Sequence, residues 1–170
     1  KISEFFGVYA TTAPKALHEV AFLVDNTISM KQEQKKYKNA IGAFAERIIK
    51  SGGRIALYEF GDLAQNVKTL ERCGFGCEVD EFKREYNYID ANRGGDDPES
   101  ALSGLMTTMN SLKWTNGATK SIVLLTDAGY HDPDFDGVTL DDVVERSPQI
   151  DPVNVYIIDT SSETDVYSEL

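Results

Sequence analysis

Apolar residues in this chain form short unbroken runs, which alternate with longer segments where they recur every three or four positions. An unbroken run predicts a buried strand, and the longer spacing predicts an amphipathic helix. Strands are predicted at Glu19–Asp25, Arg54–Phe60, Ser121–Thr126 and Val153–Ile158, with a shorter edge-like strand at Leu63–Leu70. Helices are predicted at Met30–Lys50, Glu78–Ala91, Pro98–Leu112 and Thr139–Arg146.

This order of elements predicts an α/β fold, doubly wound in the Rossmann manner, with a mainly parallel central sheet and helices on both faces. The length of 170 residues suits one domain. We expect residues 19–170 to form that domain, without the last strand and helix, and residues 1–18 to be a leading segment and candidate edge strand. Ligand sites in such sheets lie beyond the carboxyl ends of the strands.

The charge balance narrows the classes of partner. The chain has 28 acidic and 17 basic residues, which gives a net charge of −11. Nucleic acids and anionic membrane surfaces require concentrated Lys and Arg, so neither is an expected partner. The apolar runs are also too short to cross a bilayer, so no membrane insertion is expected. Most of the acidic residues are expected on a solvated surface, and some around a cation.

The two cysteines lie close together in the segment Cys73-Gly74-Phe75-Gly76-Cys77. The intervening glycines permit a tight turn, so a disulfide is sterically plausible and would indicate an oxidising compartment. The alternative is a pair of free thiols in a loop. A zinc site is disfavoured, because no histidine or further cysteine lies nearby in the sequence.

Three polar segments carry the candidate chemistry. The segment Asp25-Asn26-Thr27-Ile28-Ser29 follows the first strand, and its alternating hydroxyl and carboxylate oxygens suit Mg²⁺ or Ca²⁺. The second is Gly94–Ser100, with Asp96, Asp97 and Glu99, and the third is Thr126–Gly129, with Asp127. Each has a purely structural alternative as a helix cap or turn. Their shared placement at strand ends, or at the loop facing them, favours one common site.

Taken together, these segments resemble the metal-ion-dependent adhesion site of von Willebrand factor A domains, in order and spacing from Glu19 to Ile158. The resemblance implies that Thr27 and Ser29 bind the metal directly, while Asp25 and Asp127 act mostly through water. The Asp-x-Pro-Glu form of the second loop implies that Glu99 also contacts the metal. It further suggests that Asp96 or Asp97 serves a neighbouring calcium ion.

The resemblance also implies a function. The expected activity is adhesion or protein binding, outside the cell or at its surface, in which a carboxylate of a protein partner completes the shell of a bound Mg²⁺ or Ca²⁺. We expect no catalysis, and we expect the chain to be part of a larger multidomain protein. The first alternative is an intracellular assembly module. A phosphohydrolase-like enzyme is a weaker alternative, because Thr27 stands where such enzymes carry a second acid.

A further acidic run, Asp132-Pro133-Asp134-Phe135-Asp136-Gly137, has the beginning of a calcium-binding loop. The pattern is incomplete, since the twelfth position is Val143 rather than an acid. Asp132, Asp134 and Asp136 are therefore secondary metal-ligand candidates. The alternative is a solvated acidic loop beside the main site.

Overall fold

The computed structural model describes residues 17–94, 98–160, 167, 168 and 170. Most of the leading segment predicted over residues 1–18 lies outside this range. The candidate ligands Asp96 and Asp97 also lie outside it.

The described elements alternate between strand and helix. The strands are β1 (His18–Asp25), β2 (Arg54–Phe60), β3 (Leu70–Cys73), β4 (Thr119–Thr126) and β5 (Val153–Asp159). The α-helices are α1 (Lys31–Lys50), α2 (Val79–Tyr88), α3 (Ala101–Ser111) and α4 (Leu140–Gln149). Single turns of 3₁₀-helix occupy Ile28–Met30, just before α1, and Leu63–Gln65, after β2.

The five strands form one sheet in the order β3-β2-β1-β4-β5. All neighbours pair in parallel except β2 and β3, which are antiparallel. From β1 the chain first builds outward through β2, and it later returns to place β4 on the other side of β1. The direction of winding therefore changes between β1 and β4, and such a switch opens a crevice at the carboxyl ends of the two strands.

Helices cover both faces of this sheet, which confirms the doubly wound α/β prediction. All eight residues of β1 are buried, and alternate side chains enter different cores. Val20, Phe22 and Val24 pack with α1 and α2. Ala21 and Leu23 pack with α3 and α4 on the opposite face. Burial on both sides explains why the strand is an unbroken apolar run in the sequence.

Four boundary predictions are wrong. The helix predicted to end at Ala91 ends at Tyr88, and the helix predicted to end at Arg146 continues to Gln149. The edge strand predicted at Leu63–Leu70 lies later, at Leu70–Cys73, because Asp62 accepts a hydrogen bond from the Ala64 amide (2.7 Å) and starts a 3₁₀ turn there. The helix predicted from Pro98 begins at Ala101 instead. Glu99 forms a parallel β-bridge with Tyr130, and this extended pairing keeps the preceding residues out of the helix.

The predicted Cys73–Cys77 disulfide is present, with a Cα–Cα distance of 5.7 Å. It joins the end of β3 to the turn before α2. Within the described part of the chain, no helix is both long enough and apolar enough to cross a membrane.

Candidate metal centre

Asp25 ends β1 and is fully buried at the winding switch. Its Oδ1 accepts a hydrogen bond from the Thr27 amide (2.8 Å), and its Oδ2 accepts one from the Thr126 hydroxyl (2.7 Å). Its backbone carbonyl accepts from Nε2 of Gln34 on α1 (2.7 Å). Asp25 therefore fixes the start of the 25–29 loop relative to both β4 and α1.

Hydroxyl and carboxylate oxygens from the two strand ends meet directly above Asp25. The Thr27 Oγ1 and Ser29 Oγ atoms are 3.2 Å apart. The Ser29 hydroxyl donates to Oδ1 of Asp127, which directly follows β4, at 2.9 Å. Thr27 is buried, Ser29 is exposed and Asp127 is half-buried, so this row of oxygens reaches the solvent at its middle member, Ser29.

Glu99 reaches the same place from the loop before α3, and its side chain is buried. Its amide donates to the Gly129 carbonyl (3.1 Å), and its own carbonyl accepts from the His131 amide (3.3 Å). These backbone contacts hold the loop against the turn that follows β4. Glu99 is thereby fixed against Gly129 and His131, just beyond Asp127, although 28 positions separate Glu99 from Asp127 in the sequence.

Gly94 lies against two of the candidate ligands, Thr27 and Glu99. A Cβ atom at Gly94 would lie 2.9 Å from Thr27 Cβ and 3.3 Å from Glu99 Oε1, so the glycine backbone contacts both side chains. Its φ of +98° also belongs to a region that residues with a Cβ rarely adopt. The five primary candidates, Asp25, Thr27, Ser29, Glu99 and Asp127, are thus brought to one edge of the sheet.

The surroundings of Asp25 disfavour its negatively charged form. Burial, which deprives the carboxylate of water, raises the pKa of Asp25 from 3.8 to about 6. Hydrogen bonds from Thr27 and Thr126 lower this pKa, and the nearby negative charge of Asp127 raises it. A cation beside these carboxylates would relieve both the desolvation and the repulsion.

The oxygens present fit a hard divalent cation. Neighbouring ligands of octahedral Mg²⁺ are separated by about 3 Å and those of Ca²⁺ by about 3.4 Å. The Thr27–Ser29 oxygen separation of 3.2 Å lies between these values. Among the described residues, no three Asp, Glu, His or Cys side chains converge as a metal cluster. A site in which two of the donors are hydroxyls does not depend on such a cluster.

The second acidic run forms local structural contacts. Asp134 accepts hydrogen bonds from the Ser103 amide (3.1 Å) and the Phe135 amide (2.8 Å), and Asp136 accepts one from the Ser103 hydroxyl (2.6 Å). Asp132 accepts from the Leu140 amide (3.1 Å). These carboxylates therefore connect the loop to the first turns of α3 and α4. A cation bound by Asp132, Asp134 and Asp136 stays a prediction.

The sequence missed one residue that supports the site, Gln34, which holds the Asp25 carbonyl. Thr126 and Gly94 belong to polar segments that the sequence singled out, but their partners were not predicted: Thr126 holds the Asp25 carboxylate, and Gly94 lies against Thr27 and Glu99. The role of Thr126 could have been found, because a hydroxyl next to Asp127 at a buried strand end needs a polar partner. The contact of Gln34 has no local signal in the sequence.

Comparisons with known proteins bear on the family and the fold. The sequence profile described as von Willebrand factor type A domain matches residues 20–129. No curated protein matches the chain in sequence.

Among solved structures, proximal thread matrix protein 1 from the mussel byssus, with a zinc-occupied metal-ion-dependent adhesion site, is similar. Its TM-score is 0.63 at 16% identity, and the match covers 84% of this chain and 35% of that one. BatB from Bacteroides thetaiotaomicron has a TM-score of 0.58 at 13% identity, covering 82% and 65%. An aerotolerance-related membrane protein from Bacteroides fragilis has a TM-score of 0.64 at 15% identity, covering 82% and 66%.

The chain thus spans about a third to two thirds of the length of these proteins. At such low identities the structural similarity shows the fold alone. The sequence profile, in contrast, covers more than half of the chain. The chain belongs to the von Willebrand factor type A domain family.

Proposed function

We propose that this domain is an adhesion or protein-binding module, extracellular or at the cell surface, that holds a divalent cation and binds a carboxylate of a protein partner. The observation that carries the proposal is the row of oxygens from Thr27 through Ser29 to Asp127. The row joins two loops across the winding switch and opens to solvent at Ser29. A buried hydroxyl at Thr27 beside an exposed one at Ser29 suits a cation that the domain holds and a partner can reach.

The chain's own residues divide the work. The Thr27 and Ser29 hydroxyls and the Glu99 carboxylate are the direct ligands in this proposal. Asp25 and Asp127 orient those hydroxyls and hold bound water, because Asp25 fixes the Thr27 amide and Asp127 accepts from Ser29. When bound, the cation supplies an electrophilic centre with a coordination position left for the partner. Neutral hydroxyl ligands leave it more of its positive charge than carboxylates would.

The donor set favours Mg²⁺ or Ca²⁺. Both are hard cations that prefer oxygen ligands, whereas zinc sites usually contain nitrogen or sulfur donors. In the mussel byssus protein, the corresponding motif is occupied by zinc. The Asp-x-Pro-Glu variety of the motif is part of the proposal through Glu99, which packs beside Thr27 at Gly94.

The proposed location has independent support from the Cys73–Cys77 disulfide, because disulfides persist mainly in oxidising compartments. The same bridge disfavours the intracellular assembly module. A phosphohydrolase-like enzyme would need an acidic proton donor two positions after Asp25. That position holds Thr27, which is not an acid, so this alternative is also disfavoured. We further propose that the domain belongs to a larger multidomain protein, because it matches only 35% of the longer mussel chain.

The experiment uses the smallest carboxylate as a probe of the open position. Acetate is added to the ¹⁵N-labelled domain in Mg²⁺, and amide shifts are followed by NMR. We expect shifts centred on Thr27, Ser29 and Asp127, which vanish when EDTA removes the metal. Acetamide, which has the same shape without the charge, is the control. Equal shifts from acetate and acetamide, or acetate shifts indifferent to EDTA, would contradict the proposal.

A further inference from the structure

Three lysines form a row on one face of α1. Lys31, Lys35 and Lys38 are spaced four and three residues apart, which places them on the same side of a helix. All three are exposed, and none forms an ion pair with a described residue. Elsewhere on α1, Lys36 pairs with Glu33 and Lys50 pairs with Glu46. An uncompensated basic row is unusual on a chain of net charge −11.

The three lysines line a groove of about 310 Å³ between α1 and the end of α2. The opposite wall is formed by Tyr86 and the residues 89–91 that follow α2. The Tyr86 hydroxyl donates to the Gln34 carbonyl (3.2 Å) and closes the floor. One carboxylate, Asp90, lies in this wall and accepts a hydrogen bond from the Asn92 amide group (2.7 Å). The groove therefore has a net positive lining.

The groove begins at the candidate metal centre. On the α1 side, Lys31 follows Ser29 by two positions. On the other side, the chain continues from the groove wall to Arg93, whose carbonyl accepts from the Ile28 amide (2.6 Å), and then to Gly94 against Thr27. Along the helix, Lys31 and Lys38 are about 10 Å apart. An extended polypeptide covers that distance in about three residues.

We propose that this groove, lined by Lys31, Lys35 and Lys38, binds an acidic segment of the same partner whose carboxylate meets the metal. The inference rests on the proposed function and adds the chemistry of the partner: several carboxylates within a few residues of the one at the cation. Nucleic acid and anionic membrane are disfavoured as occupants, because their extended charge would meet the repulsion of the whole acidic domain. A short acidic segment is affected mainly by charges within about 10 Å.

The test uses fluorescein-labelled octaglutamate as the probe, with octaglutamine as its uncharged counterpart. Binding to the full chain is followed by fluorescence anisotropy at an ionic strength of about 0.1 M, in Mg²⁺ and in EDTA. The groove variant combines Lys31→Gln, Lys35→Gln and Lys38→Gln. The control variant combines Arg47→Gln, Lys68→Gln and Lys113→Gln, which removes the same charge from exposed cations outside the groove. Calorimetry with Mg²⁺ alone checks that both variants still bind the metal.

We expect octaglutamate, and not octaglutamine, to bind the wild type. The groove variant should lose about tenfold in affinity, and the control variant should lose much less. An equal loss in the two variants, an unchanged groove variant, or no binding to the wild type would overturn the inference. If EDTA weakens octaglutamate binding and the three lysine substitutions do not, the groove proposal is contradicted and the proposed function stands. If the groove variant weakens binding while EDTA does not, the proposed function fails and the groove is a separate site.

Discussion

Asp25 illustrates how a functional residue can oppose the stability of its own fold. Its carboxylate is fully buried, and the hydrogen bonds from Thr27 and Thr126 only partly replace water. The raised pKa of about 6 means that folding disfavours the carboxylate, relative to the protonated acid, compared with the unfolded chain. The charged form is thus held at a cost that a bound cation would offset.

Asp25→Asn should therefore stabilise the metal-free domain at neutral pH. Because the folded pKa is about 6 and the ordinary value is 3.8, the contribution of Asp25 to stability is complete below about pH 4 and is lost as the pH rises through about 6. Above about pH 6, the shifted pKa corresponds to a loss of about 3 kcal/mol from the free energy of unfolding. Urea unfolding in EDTA should show the variant more stable by roughly this amount at about pH 8 and nearly equal to the wild type at about pH 4.

The exposed Asp141→Asn variant is the control for this measurement, and it should show little difference at either pH. Added Mg²⁺ should stabilise the wild type and not Asp25→Asn, so the gap between them should narrow. A variant less stable than the wild type across the whole pH range would show that the buried carboxylate is not a cost to the fold.

At the residue scale, the sequence predicted which side chains gather but not what holds them. Asp25, Thr27, Ser29 and Asp127 could be placed because each lies at or just beyond the end of an apolar run, and parallel strands end at one edge. The position of Glu99 against Gly129 depends on backbone hydrogen bonds between distant loops, which leave no local pattern.

At the element scale, the loop after α2 controls how closely Glu99 approaches Thr27. Gly94 allows that approach in two ways, through its φ of +98° and through its lack of a Cβ atom. Gly117 has a comparable φ of +76°, but a Cβ atom there would meet nothing within 4 Å. A comparison of substitutions at the two glycines therefore distinguishes backbone strain, which both share, from crowding of the site, which only Gly94 has.

Gly94→Ala and Gly117→Ala should each lower the free energy of unfolding, by about 1 kcal/mol for the backbone strain. Only Gly94→Ala should also weaken Mg²⁺ binding, because its new methyl group displaces Thr27 or Glu99. Urea unfolding and calorimetric titration measure the two effects. Equal metal affinity in both variants would show that the close approach at Gly94 does not matter for the site.

The Cys73–Cys77 bridge should affect stability without affecting the site. It closes a short loop, for which the loss of entropy in the unfolded chain corresponds to about 2 kcal/mol. Phe75, inside the loop, packs on Trp114 and Arg54. Arg54 is the first residue of β2, so this contact lies at the end of the sheet opposite the metal centre. The double variant Cys73→Ser and Cys77→Ser should unfold at lower urea concentration and bind Mg²⁺ like the wild type. A large change in metal affinity would contradict this separation.

The central strands were predictable because burial on both faces makes them continuous apolar runs. β1, β2, β4 and β5 lie within two residues of their predicted limits. β3 was misplaced because it is an edge strand with largely exposed side chains, including Leu70, so burial leaves little imprint on its sequence. The start of α3 was misplaced because a long-range bridge at Glu99 competes with the helical preference of Pro98.

At the scale of the whole molecule, fold and charge act together. The winding switch brings the 25–29 loop and Asp127 to one end of the sheet, although 98 positions separate Ser29 from Asp127. The net charge of −11 attracts cations to the domain and repels most polyanions. The lysine row on α1 is a local exception beside the proposed cation site.

Calorimetric titration of the metal-free domain with Mg²⁺, and separately with Ca²⁺, is the most direct test of the proposed metal site. We expect saturable binding that Ser29→Ala and Glu99→Gln each weaken by at least about tenfold. Ser111→Ala, which removes an exposed hydroxyl at the end of α3, should bind like the wild type. Absence of binding, or binding that neither Ser29→Ala nor Glu99→Gln weakens, would contradict the metal site and leave only the fold.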